Sequence, residues 1–176
     1  PTRRSSDLAP DFELPATDGD TYSLDSFDDA DVLVVMFICN HCPYVKAVRQ
    51  RLIDLANDFS DASTAFVAIS SNDAEEYPED SFPRMKEVAE EYDYPFPYLY
   101  DETQEVARQF GAVCTPDIFV FDEERALRYR GRIDDNWKEA SEVTREDLRL
   151  AIEAILAGER PDTDQKPSRG CSIKWK

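Results

Sequence analysis

Runs of apolar residues along the chain predict a set of short strands, two of which are buried on both faces. Residues 32–38 (VLVVMFI) and 64–69 (TAFVAI) are nearly continuous apolar segments. Such segments are typical of the central strands of a parallel sheet, both faces of which are covered. Shorter patterns predict an N-terminal hairpin of residues 11–14 and 21–24 around Asp18-Gly19 and three further strands at 96–100, 118–121 and 127–131.

A second pattern, with the period of a helix, fills the intervals between these strands. After the first buried strand, apolar residues recur at spacings of 3, 4, 3 and 4, at Val45, Val48, Leu52, Leu55 and Phe59. Comparable stripes predict helices over residues 81–92, 103–110 and 144–157. Thr144 and Asp147 suit a variant capping box at the start of the last helix, and Gly158 suits its end.

The order of these elements predicts an α/β fold. Strands alternate with helices, so we expect a mixed central sheet with helices on both faces and an N-terminal β-hairpin extension. A chain of 176 residues is long enough for one domain and short for two. We expect the domain to span residues 8–158 and the polar tail of residues 159–176 to pack on it.

The charge of the chain excludes some partners. The chain has 38 acidic and 20 basic residues, which gives a net charge of −18. Nucleic-acid binding is therefore not expected, because it needs a basic surface. We interpret the excess as that of a protein from a high-salt cytoplasm, where counterions screen the repulsion. A very soluble surface is the alternative. The sequence shows no apolar run near the ~18 residues of a membrane span and no signal peptide, so we expect a cytoplasmic location without membrane contact.

Candidate chemistry lies in the spacing of two cysteines. Cys39 and Cys42 form a C-x-x-C motif between the first buried strand and the following helix. A helix N-terminus offers free N–H groups and a positive dipole end, which favour the thiolate. A second thiol one turn away can resolve a mixed disulfide. The alternatives are half of a zinc site, which needs two further ligands, and two inert buried cysteines. We expect redox chemistry without a metal or cofactor.

The single histidine of the chain, His41, lies between these cysteines. An imidazole beside a thiolate can stabilise the charge or carry its proton. The alternative is a solvent-facing loop residue. We expect Cys39, Cys42 and His41 to be the catalytic residues.

Several segments carry a family resemblance. The N-terminal APDFEL (9–14) resembles the redoxin branch of the thioredoxin superfamily, which includes alkyl-hydroperoxide-reductase-like and thiol-specific-antioxidant-like proteins. A peroxiredoxin-like, thioredoxin-like family of bacteria and archaea is similar at CNHCPYVK (39–46), YPED (77–80), FPYLYDETQEVA (96–107), GRIDDN (131–136) and GCSIKW (170–175). The resemblance implies a thioredoxin-like fold and thiol redox activity.

The superfamily's pattern implies a role for each matching residue. Cys39 matches the nucleophilic cysteine and Cys42 the resolving one, while His41 should lower the pKa of the thiolate. Pro116 matches a cis-proline facing the cysteines, and Thr115 offers its backbone to a substrate. Asn40 is a further expected substrate contact. On this basis we expect a cis Thr115–Pro116 bond, and we expect Cys39 to be the more exposed thiol, with a pKa below the ~8.5 of free cysteine.

Two departures keep other interpretations open. The strand before the cysteines has no acid, so proton transfer must fall to His41, water or a more distant carboxylate. Cys42 aligns with the peroxidatic cysteine of peroxiredoxins, but Cys39 then occupies the position of their threonine. We expect a thiol–disulfide oxidoreductase that acts on protein or small-molecule disulfides and thiols, uses an external reductase, and is a monomer or weak dimer. The alternatives are a peroxiredoxin-like thiol peroxidase and a non-catalytic redox sensor or partner-binding module.

Cys114 and Cys171 are candidate additional redox thiols. Cys114 precedes Pro116 by two residues, and the alternative for it is a small buried hydrophobic residue. Cys171 lies in the tail, and the alternative for it is a thiol held in place by docking of the tail.

Overall fold

Five strands form the central sheet of the computed structural model, which describes residues 7–176. Two separate two-stranded sheets accompany it. The elements in chain order are β1 (Glu13–Pro15), β2 (Thr21–Ser23), β3 (Val32–Phe37), α1 (Pro43–Asp58), β4 (Thr64–Ser70), α2 (Phe82–Glu91), β5 (Tyr98–Tyr100), α3 (Glu105–Phe110), β6 (Cys114–Thr115), β7 (Asp117–Phe121), β8 (Leu127–Gly131), α4 (Asp147–Leu156) and β9 (Cys171–Ser172).

The sheet is mixed, with strand order β5-β4-β3-β7-β8. β3 lies in the centre and is parallel to β4, which is parallel to β5. β7 pairs antiparallel with β3 and with β8. All six residues of β3 are buried, as the continuous apolar run predicts for a central strand. The predicted mixed α/β sheet and the N-terminal hairpin of β1 and β2 are confirmed.

Each face of the sheet has its own hydrophobic core, because successive side chains of a strand point to opposite sides. Val32, Val34 and Met36 face the core that α1, α2 and α4 cover. Leu33, Val35 and Phe37 face the core that α3 and the N-terminal hairpin cover. Helices therefore lie on both faces, as predicted.

The start of α4 differs from the prediction. The helix begins at Asp147, and its N-cap residue, Glu146, makes no side-chain capping bond. Thr144 donates both its hydroxyl and its backbone N–H to Asp135, the N–H over 2.9 Å. The predicted capping box of Thr144 and Asp147 is therefore wrong, because the Thr144 side chain bonds to Asp135 in the preceding loop.

The tail returns to the body of the protein through β9. This strand pairs antiparallel with β6, so that Thr115 is opposite Cys171 and Cys114 is opposite Ser172. Ile173, the next residue, is buried in the core on the α3 side of the sheet. Within residues 7–176, no helix has the length and apolar character needed to cross a membrane.

Candidate active site

The two cysteines of the motif lie where the central strand passes into α1. The strand ends at Phe37, and the helix starts at Pro43, with Cys42 as its N-cap residue. Proline suits the first helical position because the N–H that it lacks would have no partner there. The positive end of the helix dipole therefore lies closest to Cys42, whereas Cys39 lies three residues earlier in the chain.

Both thiols are buried against the loop before β7. The exposed fraction is 1% for Cys39 and 0% for Cys42, so both thiols are buried and the expected greater exposure of Cys39 amounts to no more than this 1%. Cys39 Sγ lies 3.5 Å from Thr115 Oγ1, and the Cys42 thiol donates to Thr115 O over 3.3 Å. The Thr115–Pro116 bond is cis, as predicted. The structure thus places the cysteine pair against Thr115.

Cys42 is the more acidic of the two thiols. A hydrogen bond from Cys39 is the largest cause that lowers the pKa of Cys42, to about 4, against the opposing effect of burial. Donors from Cys171, the Val45 backbone and Thr115 add to it. The Thr115 carbonyl, which accepts from the Cys42 thiol, favours the protonated form, but it is one acceptor against several donors.

Cys39 has the opposite character. Its hydrogen bond to Cys42 raises its pKa well above the usual range, and burial and the negative charge of Asp80 act in the same direction. The predicted low pKa of Cys39 is therefore wrong. The physical reason is that the two sulfurs share one proton, which stays on the thiol beside the carboxylate and away from the helix N-terminus.

Asp80 is the site residue that the sequence analysis did not single out. It is fully buried at the end of the short 3-10 helix Pro78–Asp80. Its Oδ1 accepts from the Asn40 backbone at 2.8 Å, and its Oδ2 accepts from Asn72 Nδ2 at 2.9 Å. His41 Nδ1 lies 2.5 Å from the same Oδ2. Asp80 is thus a carboxylate outside the central strand that contacts the histidine of the motif, and the missing acid in β3 and the YPED segment were the signals for it.

The His41 ring is held on two sides. Besides its contact with Asp80, it stacks on Tyr77, with ring centroids 5.6 Å apart and an interplanar angle of 4°. The side chain of His41 is about a quarter exposed, at 28%. His41 therefore has a fixed orientation and can still exchange a proton with solvent.

Asn40 supports the loop between the two cysteines. Its side chain donates to Glu79 O at 2.8 Å and accepts from the Tyr98 hydroxyl at 2.8 Å, while its carbonyl accepts from Arg49 Nη2 at 3.2 Å. The residue is buried. The polar atoms of the Asn40 side chain thus bond to other residues of the protein. A contact between Asn40 and a substrate stays a prediction.

The other two cysteines differ in their distance from this chemistry. Cys171 lies opposite Thr115 in β9, and burial, followed by the interaction with Cys42, raises the pKa of Cys171 to about 11. The Cys114 thiol donates to Pro116 O at 3.5 Å. Burial, followed by the charge of Asp117, raises its pKa to about 12. The structure therefore brings Cys171 to the pair, whereas Cys114 bonds to the backbone of its own loop.

One group among the described residues has the composition of a metal site. The ligand atoms of Cys39, His41 and Asp80 all lie within 4.8 Å of one another. Both oxygens of Asp80 already accept hydrogen bonds, and Cys39 donates to Cys42. A metal ion would have to compete with these bonds for the same atoms.

Comparisons with known proteins identify relatives of the whole chain. Residues 6–130 match the AhpC/TSA family. A hypothetical protein from Sinorhizobium meliloti 1021 is similar at 42% identity and a TM-score of 0.93, over 100% of this chain and 97% of its own. An uncharacterized conserved protein from Geobacillus kaustophilus is similar at 52% identity and a TM-score of 0.92, over 96% and 90%. No protein of curated function matches the chain.

A more distant likeness identifies the fold. The thioredoxin domain of a thiol-disulfide oxidoreductase from Bacteroides vulgatus superposes with a TM-score of 0.59 at 20% identity, over 73% of this chain and 89% of its own. The predicted thioredoxin-like fold is confirmed.

Proposed function

The chain belongs to the AhpC/TSA family of redoxins, and from this membership we propose that it is a thiol–disulfide oxidoreductase that works through Cys39 and Cys42. The observation that carries the proposal is the pair of buried thiols at the start of α1, where Cys42 is the N-cap residue and both sulfurs contact Thr115. The lowered pKa of Cys42 favours its thiolate, the form that attacks disulfides. In this proposal Cys42, the N-cap residue of α1, is the attacking cysteine and Cys39 the resolving one, the reverse of the roles that the superfamily pattern implies.

The proposed reaction has two exchange steps. The Cys42 thiolate attacks one sulfur of a substrate disulfide, so that a mixed disulfide forms and the other substrate sulfur leaves as a thiolate. The Cys39 thiol then gives up its proton and attacks Cys42 Sγ, which forms the Cys39–Cys42 disulfide and releases the second substrate sulfur. His41 is the group at hand for the proton of Cys39, since their ligand atoms lie within 4.8 Å of each other.

The substrates in this proposal are protein or small-molecule disulfides, and the reverse reaction oxidises thiols. An external reductase returns the Cys39–Cys42 disulfide to the dithiol after each cycle. We further propose that the protein is cytoplasmic, that it is a monomer or weak dimer, and that it needs no cofactor of its own.

Catalysed reduction of insulin disulfides by dithiothreitol tests the proposal. We expect the wild-type protein to accelerate the reaction and Cys42→Ser to lose that acceleration, because it lacks the attacking sulfur. Cys39→Ser, which lacks the resolving sulfur of the pair, should be slower than wild type. Cys114→Ser is the matched control and should keep the wild-type rate. If the two single variants, Cys39→Ser and Cys42→Ser, both accelerated insulin reduction as much as wild type, the proposal would be overturned.

A thiol peroxidase is the second candidate, and the position of Cys42 at the helix N-cap favours it. In that reaction the Cys42 thiolate attacks the peroxide O–O bond, forms a sulfenic acid and releases water or an alcohol. Peroxide consumption with excess thiol separates the two functions. The peroxidase predicts that Cys39→Ser still forms a trappable sulfenic acid at Cys42, whereas the oxidoreductase predicts negligible peroxide turnover by wild type.

A further inference from the structure

The C-terminal strand lies directly against the cysteine pair. β9 pairs with β6 in a register that puts Cys171 opposite Thr115, and Thr115 is the residue whose carbonyl accepts from the Cys42 thiol at 3.3 Å. Cys171 itself packs against the core cluster that contains Cys39 and Cys42. Three thiols thus meet around one residue, Thr115.

The tail on the far side of Cys171 is fixed by backbone bonds. The Ile173 N–H donates to Val113 O at 3.1 Å, and the Lys174 N–H donates to Asn72 Oδ1 at 2.8 Å. The Asp73 N–H donates in turn to Lys174 O at 2.8 Å. Ile173 is 3% exposed. These contacts hold β9 in one register, so the position of Cys171 is a property of the fold.

On the near side the approach of the two backbones requires a glycine. A Cβ atom on Gly170 would lie 2.2 Å from Thr115 O and 2.6 Å from Thr115 C, closer than any real contact. Ser168 adds a further anchor, because its hydroxyl donates to Pro116 O at 2.6 Å. The segment of residues 168–173 is therefore built to lie tightly on the loop that faces the cysteines.

Cys171 also meets the chemical requirement for exchange. Its thiol lies close enough to Cys42 for each to shift the pKa of the other, which is lowered for Cys42 and raised for Cys171. It is half-buried, unlike the fully buried pair. A thiol that lies opposite Thr115 and packs against the cluster of Cys42 is placed to attack Cys42 once that residue is oxidised.

From this geometry we propose that Cys171 is a third redox thiol, which takes over the disulfide bond of Cys42 from Cys39. The inference rests on the proposed function, since it starts from the oxidised pair. The Cys171 thiolate attacks Cys42 Sγ, so that the Cys42–Cys171 bond forms and the Cys39–Cys42 bond breaks. Cys39 leaves as a thiolate and takes up the proton that Cys171 lost. No electrons are gained or lost in this step.

The exchange gives the tail a function in the cycle. In the Cys42–Cys171 form β9 is covalently tied to the start of α1, and Cys39 is a free thiol again. Cys114 does not compete for this role, because its thiol bonds to Pro116 O in its own loop.

Disulfide mapping of the Cys39→Ser variant tests the inference. The protein is equilibrated with oxidised glutathione, its free thiols are alkylated, and its peptides are identified by mass. Glutathione first forms a mixed disulfide with Cys42, and Cys171 then displaces it as reduced glutathione. We expect a Cys42–Cys171 peptide as the main product, and the same product from the control Cys39→Ser/Cys114→Ser.

Two further variants sharpen the result. Cys39→Ser/Cys171→Ser should stop at the glutathione adduct of Cys42. Adding Gly170→Ala to Cys39→Ser should lower the yield of the Cys42–Cys171 peptide, because the new methyl group pushes β9 away from Thr115. A Cys39→Ser protein that keeps glutathione on Cys42 with Cys171 free would overturn the inference.

The wild-type protein, mapped in parallel, separates this inference from the proposed function. A Cys39–Cys42 disulfide in wild type without any Cys42–Cys171 product in Cys39→Ser refutes the third thiol and leaves the oxidoreductase standing. The absence of both disulfides refutes both. If Cys39→Ser does not fold, partly oxidised wild type carries the test, and a minor Cys42–Cys171 species is expected beside the main one. Its absence would overturn the inference.

Discussion

Cys42 owes its acidity to hydrogen-bond donors that converge on one sulfur atom. Cys39, Cys171, Thr115 and the backbone N–H of Val45 all lower its pKa. The sulfur also caps the N-terminus of α1, where the helix dipole favours a negative charge. Cys39 lacks this support and faces the charge of Asp80. The position of each sulfur relative to the helix therefore decides which one is the thiolate.

Removing the donor on Cys39 should raise the pKa of Cys42. We expect about 4 in wild type, a higher value in Cys39→Ala, and an intermediate one in Cys39→Ser, whose hydroxyl still donates. Each unit is ~1.4 kcal/mol of lost thiolate stabilisation. The thiolate forms above the pKa. The rate at which Cys42 attacks a disulfide should therefore be flat near neutral pH in wild type, and on lowering the pH it should begin to fall at a higher pH in Cys39→Ala. Thiolate absorbance against pH measures this, and overlaid curves for all three proteins would contradict it.

At the same scale the sequence identifies some site residues and misses others. Cys39, His41 and Cys42 are neighbours in the chain, so their spacing alone reveals the motif. Asp80 comes from a different segment and reaches His41 only through the fold. The relative acidity of the two thiols depends on where α1 begins, and an apolar stripe that starts at Val45 does not define that residue.

Among the elements, the long apolar runs were predicted and the short pairings were not. β3 and β4 have enough consecutive apolar residues to be recognised, and the helix stripes locate α1 and α2. β6 and β9 have only two residues each. Neither has a periodic pattern, because each is a strand only through its pairing with the other. The placement of Cys171 beside Cys42 therefore needed the structure.

The start of α4 illustrates a different limit. Thr144 and Asp147 have the right spacing for a capping box, but Asp135 competes for the Thr144 hydroxyl, and Asp147 accepts from Arg132 and Arg145. A local motif predicts a local bond only when no tertiary partner is nearer. In this acidic chain such partners are common.

For the whole molecule, the net charge of −18 opposes folding at low ionic strength. Arginines offset part of it through pairs with buried acids, as in Arg51–Asp134 at 2.6 Å and Arg130–Asp117 at 2.9 Å. The remaining acidic surface repels itself over a distance of about 10 Å at 0.1 M salt and about 3 Å at 1 M. Salt therefore relieves a repulsion that the ion pairs do not cancel.

We accordingly expect the Tm to rise between ~0.1 M and ~2 M KCl, since screening of the repulsion outweighs the loss of exposed ion pairs worth ~0–1 kcal/mol each. Thermal unfolding followed by circular dichroism measures this, and NaCl in place of KCl is the control for an ion-specific effect. An equal or lower Tm at high salt would contradict the interpretation of the charge as an adaptation to salt.

The proposed disulfide between Cys39 and Cys42 is tested most directly by a redox titration of the wild-type protein in mixtures of reduced and oxidised glutathione, followed by alkylation and peptide mass analysis. We predict a single two-electron transition in which the two cysteines of the motif lose their free thiols together and form a disulfide within the one peptide that contains both, and no such transition in Cys42→Ser. A protein that stays fully reduced across the series, or that only gains glutathione or oxygen at Cys42 while Cys39 remains a free thiol, would contradict the proposed exchange.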